Sequence, residues 1–171
     1  MRRIALVLAA IMLALTVTAC GSKDTTTTDK TDAQASFTCP TDNTKAFPKV
    51  RFAADLGLAF GSVKHWIYTP YQAGKFQKGA DGRIVATAKA VAAAALAAKL
   101  LSNAVDNANA DPLLCKTVGK PLASLTDAVS GLKGKILSGD LGSLTGIVGS
   151  IGGLESMLGK SGNPITEKFN S

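Results

Sequence analysis

His65 is the only imidazole in the chain, and Cys20, Cys39 and Cys115 are its only thiols. Acid–base catalysis and metal ligation both lean on His. A lone His with no Cys, Asp or Glu close in sequence offers neither a base with an orienting partner nor a ligand set. The neighbours of His65 are Lys64 and Trp66. The acidic residues, 12 in all, are spread singly, and Glu155 and Glu167 are the only Glu. There is no nucleophile elbow, no HExxH and no phosphate loop, and the glycines around Gly146 and Gly149 follow no strand. The sequence argues against an enzyme and gives no ground for a cofactor or a metal site.

The three thiols differ in context. Met1-Arg2-Arg3 is a positive start, and Ile4 to Leu15 is a continuous apolar run. Together they read as a secretory signal peptide, too short for a comfortable membrane span. The run ends in Val17-Thr18-Ala19-Cys20, followed by Gly21-Ser22. This stretch resembles the lipobox of bacterial lipoproteins, in which small residues precede a Cys; Val17 stands where many lipoboxes have Leu. The resemblance covers about the first 22 residues. It implies that residues 1–19 are removed and that Cys20 carries acyl chains such as palmitate. The mature protein would then be held at the cell membrane on its extracytoplasmic face. Acyl chains contribute about 0.8 kcal/mol per buried methylene, so two of them hold a protein on a bilayer.

Export sets the chemistry of the other two thiols. In an oxidising compartment a free pair tends to oxidise, and two Cys allow one intramolecular connectivity, Cys39–Cys115. A redox pair would need CxxC spacing, and a metal pair would need ligands that one His cannot supply. Residues 20–36, with the sequence GSKDTTTTDKTDAQAS after Cys20, lack any large apolar residue. Such a stretch cannot bury enough surface to offset the entropy of ordering, so it reads as a disordered tether.

Residues 37–171 remain as the folded domain, and the expectation is an all-α fold: a small helical bundle with one disulfide. Its organising element is Arg83–Asn109, free of Pro and Gly and dominated by Ala, the best helix former. Its large apolar residues, Ile84, Val85, Val91, Leu96, Leu100, Leu101 and Val105, point nearly all round at 100° per residue, which predicts a buried central helix. It is long enough to span a membrane, but Lys89 and Lys99 interrupt it. Asp81 is a candidate cap.

The other elements follow from apolar spacing. Phe52, Leu56, Phe60, Val63 and Ile67 predict a helix over 49–68, ended by Thr69-Pro70, with Gly57 and Gly61 marking close contact with another helix. Asp111-Pro112 predicts a capped short helix holding Cys115 against Cys39. Pro121 then opens a further helix to about Leu137, with Leu122, Leu125, Val129, Leu132 and Ile136 as its stripe. The last helix runs from about Asp140 to Leu158. Its glycine pairs, Gly142/Gly146 and Gly149/Gly153, suggest tight packing on the Ala-rich helix.

The segment Lys64–Lys78 concentrates the only His, the only Trp and both Tyr. His65, Trp66, Tyr68, Tyr71, Lys75 and Lys78 are the candidate partner surface, since helix ends and loops are where binding residues gather. The competing expectation is that Trp66 is core. The formal charge of +7 falls to +5 without Arg2 and Arg3. No run of four Lys occurs, so nucleic acid is not indicated. The function expected is a membrane-anchored binding or structural module acting on an envelope protein or lipid. The alternatives are a carrier of a lipid or small hydrophobic ligand and a prophage-type exclusion lipoprotein, although no motif matches the latter.

Overall fold

In the computed structural model the described residues are 38–165, and they form an all-α bundle with no strand among them. The expected signal peptide, Cys20 and the expected tether fall outside the described residues. Four long helices make the bundle: α1 (Pro48–Val63), α3 (Arg83–Ala108), α4 (Pro112–Ser138) and α5 (Leu144–Lys160). A π turn (Lys64–Tyr68) and a short α2 (Thr69–Gln72) extend α1. The Ala-rich α3 lies between α1 and α4, and α5 packs on the outside of α4. Cys39 and Cys115 form the disulfide. It pins the chain before α1 to the first turn of α4, beside the Thr44 N–H to Ala110 C=O bond.

The centre of the bundle is made by alanines. Ala90, Ala94, Ala97, Leu101, Ala104 and Ala108 recur at four and three, and all are fully buried. Small side chains let the backbones of α1 and α4 come close on either side. The expectation that α3 is buried all round does not hold: Ile84 is 85% exposed, Val85 58% and Leu96 50%. The alanine seam takes the contact because small side chains let the neighbouring helices close in, with Leu101 the one large residue fully buried in it. The other large residues of the helix are left partly or largely exposed. Only 28% of the most apolar window of this helix is buried.

Other elements show how packing overrides local breakers. The stripe Phe52, Leu56, Phe60, Val63 and Ile67 is buried as its spacing requires, and Gly57 and Gly61 are buried too. The helix does not stop at Thr69-Pro70. In an α-helix the Pro70 ring would meet the Trp66 carbonyl. The π turn widens the backbone there, with the Thr69 N–H donating five residues back to Lys64 O and the Thr69 hydroxyl donating to the same oxygen at 2.9 Å. The stop comes at Gly74, whose φ of +68° suits glycine. Its N–H donates to Tyr71 O, and the Lys75 N–H donates to Pro70 O, which closes the helix end.

Pro121 likewise opens no new helix, because α4 runs through it. Leu114, Val118, Leu122, Leu125, Val129, Leu132 and Ile136 form one buried stripe across the proline. Burial of several large side chains at about 2 kcal/mol each outweighs one proline penalty of about 3 kcal/mol. Asp111 caps α4 as expected, accepting from the N–H groups of Leu113 (3.0 Å) and Leu114 (2.9 Å). Asp81 caps nothing: Gly82, at φ +72°, occupies the N-cap of α3 without a side-chain bond. The paired glycines of α5 are not packed on α3. A Cβ built at Gly146, Gly149 or Gly153 meets nothing within 4 Å, and at Gly142 only the Asp140 side chain lies in reach. The stripe Leu144, Ile147, Ile151, Leu154 and Leu158 faces α4 instead.

Candidate functional site

The aromatic segment begins on the π turn. Consecutive side chains leave it in different directions, as on any helix. Ile67 goes into the core, while Trp66 and Tyr68 stay half-buried against it. Trp66 therefore joins neither the core nor the open surface. Its indole lies under the Lys89 ammonium, 5.0 Å from the ring centroid. The exposed His65 ring stands nearly perpendicular to it, with centroids 4.6 Å apart and planes at 85°. With Ser62, Ala92, Ala93 and Leu96, Trp66 and Lys89 line an open, almost wholly apolar groove of about 250 Å³.

Tyr71 belongs to a different hollow. It emerges from α2 and lines an open groove of about 690 Å³ with Phe76, Gln77, Lys78, Arg83 and the Gly139–Gly142 turn between α4 and α5. Among the described residues neither Lys78 nor Arg83 forms an ion pair. Lys75 is exposed and lies outside this lining. Of the six residues singled out from the sequence, Trp66 lines the apolar groove and Tyr71 and Lys78 line the cationic one, while His65, Tyr68 and Lys75 line neither. Both grooves flank the N-terminal half of α3.

A third hollow, of about 380 Å³, was not anticipated. It lies toward the opposite end of α1 and α3 and includes Lys45, Arg51, Asp55, Asp106 and Asn107. Asn107 Nδ2 donates to Asp55 Oδ2 at 3.1 Å, and Lys45 Nζ donates to Asp106 O at 3.2 Å. Burial pushes the Asp55 carboxyl above its ordinary value, opposed by the Asn107 hydrogen bond and the Arg51 charge. Asp55 lies ten residues before His65, about 15 Å along the helix, so the two do not form an acid–base pair. Among the described residues no three His, Cys, Asp or Glu side chains gather into a metal-binding group.

One signal was present in the sequence and lay in charge counted along the chain. Residues 64–99 contain Lys64, Lys75, Lys78, Arg83, Lys89 and Lys99 against Asp81 alone, a net +5. Residues 20–63 hold five cations and five anions, and residues 100–171 hold six of each. The whole net charge after Ala19 therefore resides on the segment that also carries the aromatics and the exposed Ile84, Val85 and Leu96. No protein-family model matches this chain, and neither a curated protein nor a solved structure does.

Proposed function

We propose that the protein is an extracytoplasmic lipoprotein, held on the cell membrane through Cys20, whose helical domain acts as a binding or structural module at the envelope. The observation that carries this reading is Val17-Thr18-Ala19-Cys20 at the end of a charged and then apolar leader. The Cys39–Cys115 bond supports it in two ways. A structural disulfide, with Cys115 buried and Cys39 half-buried, suits an exported protein, and it accounts for both of the other thiols. The carrier alternative ranks second, because the apolar groove beside Trp66 is open and about 250 Å³, below the size of common ligand cavities.

The test is Cys20→Ala in the native host. Intact mass of the wild-type protein should show an acylated Cys20 N-terminus, and the variant should lose both the acylation and the cleavage before residue 20. A wild-type chain cut elsewhere, with an unmodified N-terminus, would overturn the reading.

A further inference from the structure

We infer that the outer face of α3, with the cationic loop before it, is a docking surface for an anionic lipid bilayer. The proposal rests on the lipoprotein reading for its setting, but its evidence is separate. At 100° per residue, Ile84, Val85, Ala88, Ala92, Ala95 and Leu96 fall within one third of the helix circumference. Every one of them is exposed. An apolar stripe about 18 Å long, open to solvent on a helix whose other face is packed, has no covering element among the described residues.

The surrounding charge selects the occupant. Lys78 and Arg83 stand at the start of the stripe, Lys89 at its edge over Trp66, and Lys99 at its end. Cations around exposed aliphatic residues, with a Trp at the border, match headgroup phosphates above acyl chains. A second copy of this face would bring the same unpaired cations together, which disfavours self-association. A rival patch holds Phe47, Val50 and Leu113, also exposed, near the starts of α1 and α4. There the charges cancel, with Lys49 Nζ 3.8 Å from Asp111 Oδ2.

Reach permits the contact. The stripe lies toward the far end of the bundle from Cys39, and α3 is about 39 Å long. The 19 residues from Cys20 to Cys39 extend to about 65 Å. An anchored domain can therefore lie down on its own leaflet.

Trp66 is the only Trp in the whole chain, so it reports docking without interference from the anchor. The experiment uses the mature lipidated chain in phosphatidylcholine vesicles with and without a third of phosphatidylglycerol. Flotation reads anchoring; Trp66 emission and its quenching by lipids brominated on the acyl chains read docking. Docking predicts a blue shift and quenching with phosphatidylglycerol. Both should be lost in pure phosphatidylcholine, in high salt and in the triple variant Ile84→Ser, Val85→Ser, Leu96→Ser. These positions are half or more exposed, so the variant should still unfold cooperatively, with a thermal midpoint lowered by no more than about 10 °C. A chain that floats while Trp66 responds to none of these changes overturns docking and leaves anchoring intact. A Trp66 response that follows protein density rather than lipid charge, with cross-linked dimers, overturns it in favour of a second copy. A chain that binds only anionic vesicles, with the Trp66 response, supports docking and removes the anchor.

Discussion

Leu96 and Ala97 are adjacent on α3, and hydrophobicity alone would rank the leucine as the core residue. Exposure says the reverse, 50% for Leu96 and 0% for Ala97. Leu96→Ala removes a side chain that is only half out of water. Half of a full leucine transfer of about 2 kcal/mol is about 1 kcal/mol, and the better helix propensity of Ala returns part of it. Ala97→Leu adds three carbons to a fully buried position in the seam between α1 and α4. Overpacking of that kind costs about 1–3 kcal/mol, and the upper end applies where helices close in on two sides. For a domain of this size 1 kcal/mol moves the thermal midpoint by about 3–5 °C. The expected drops are therefore about 10 °C for Ala97→Leu and under about 4 °C for Leu96→Ala. Ala95→Leu, two residues away on the exposed face, is the control for propensity and should move the midpoint hardly at all. Thermal unfolding followed by far-ultraviolet circular dichroism reads all three. If Leu96→Ala costs as much as Ala97→Leu, the alanine seam is not what closes the core and the reasoning fails.

Three further outcomes follow from the same geometry. Replacing Cys39 and Cys115 by Ala releases a loop with a sequence separation of 76, worth about 4.5 kcal/mol in the chain-entropy model; chemical denaturation measures it, and a loss under about 1 kcal/mol would mean the segment before α1 frays without the bundle noticing. Asp55 has its carboxyl pushed up by burial, so its contribution favours the fold in acid and is lost as pH rises through the raised value. Asp55→Asn should accordingly match the wild type in strong acid and become the more stable of the two once pH passes the raised value; melts at several pH values check this, and a constant difference would refute it. Asp111→Ala should cost about 1–2 kcal/mol by uncapping α4, whereas Asp111→Asn, which keeps an acceptor oxygen, should lose much less in the same melts.

Much of the bundle was legible in the sequence because apolar spacing is a direct record of burial. The stripes of α1 and α4 are buried where their three-and-four steps place them, and Asp111-Pro112 starts a helix as its chemistry requires. The prolines misled because their penalty is local, while the stripe that outweighs it is spread over several turns. In α3 the error had a different source. Side-chain size is no measure of burial between two close helices, where small residues fit best, so Ala97 is inside and Ile84 outside. Of the candidate surface, the residue types were visible but their division was not. Which way Trp66 and Tyr71 leave the chain depends on the π turn, and no spacing rule announces one. The Asp55–Asn107 contact joins residues 52 apart in sequence, a separation at which one chain read by itself carries no pairing signal.

The glycines of α5 bear on the order in which the molecule comes apart. Gly146, Gly149, Gly152, Gly153 and Gly159 all lie on its exposed side. Each weakens a free helix by about 1 kcal/mol relative to Ala, so α5 undocked from α4 has little reason to remain helical. Undocking and unwinding are then one event. It is cheaper than opening α1, α3 or α4, because the contact of α5 with α4 is much thinner than the contacts of α3 with α1 and α4. Amide protons from Leu144 to Lys160 should therefore exchange through a partial opening that leaves the other three helices protected. A protease entering the folded domain would find its first cut there rather than in the alanine seam.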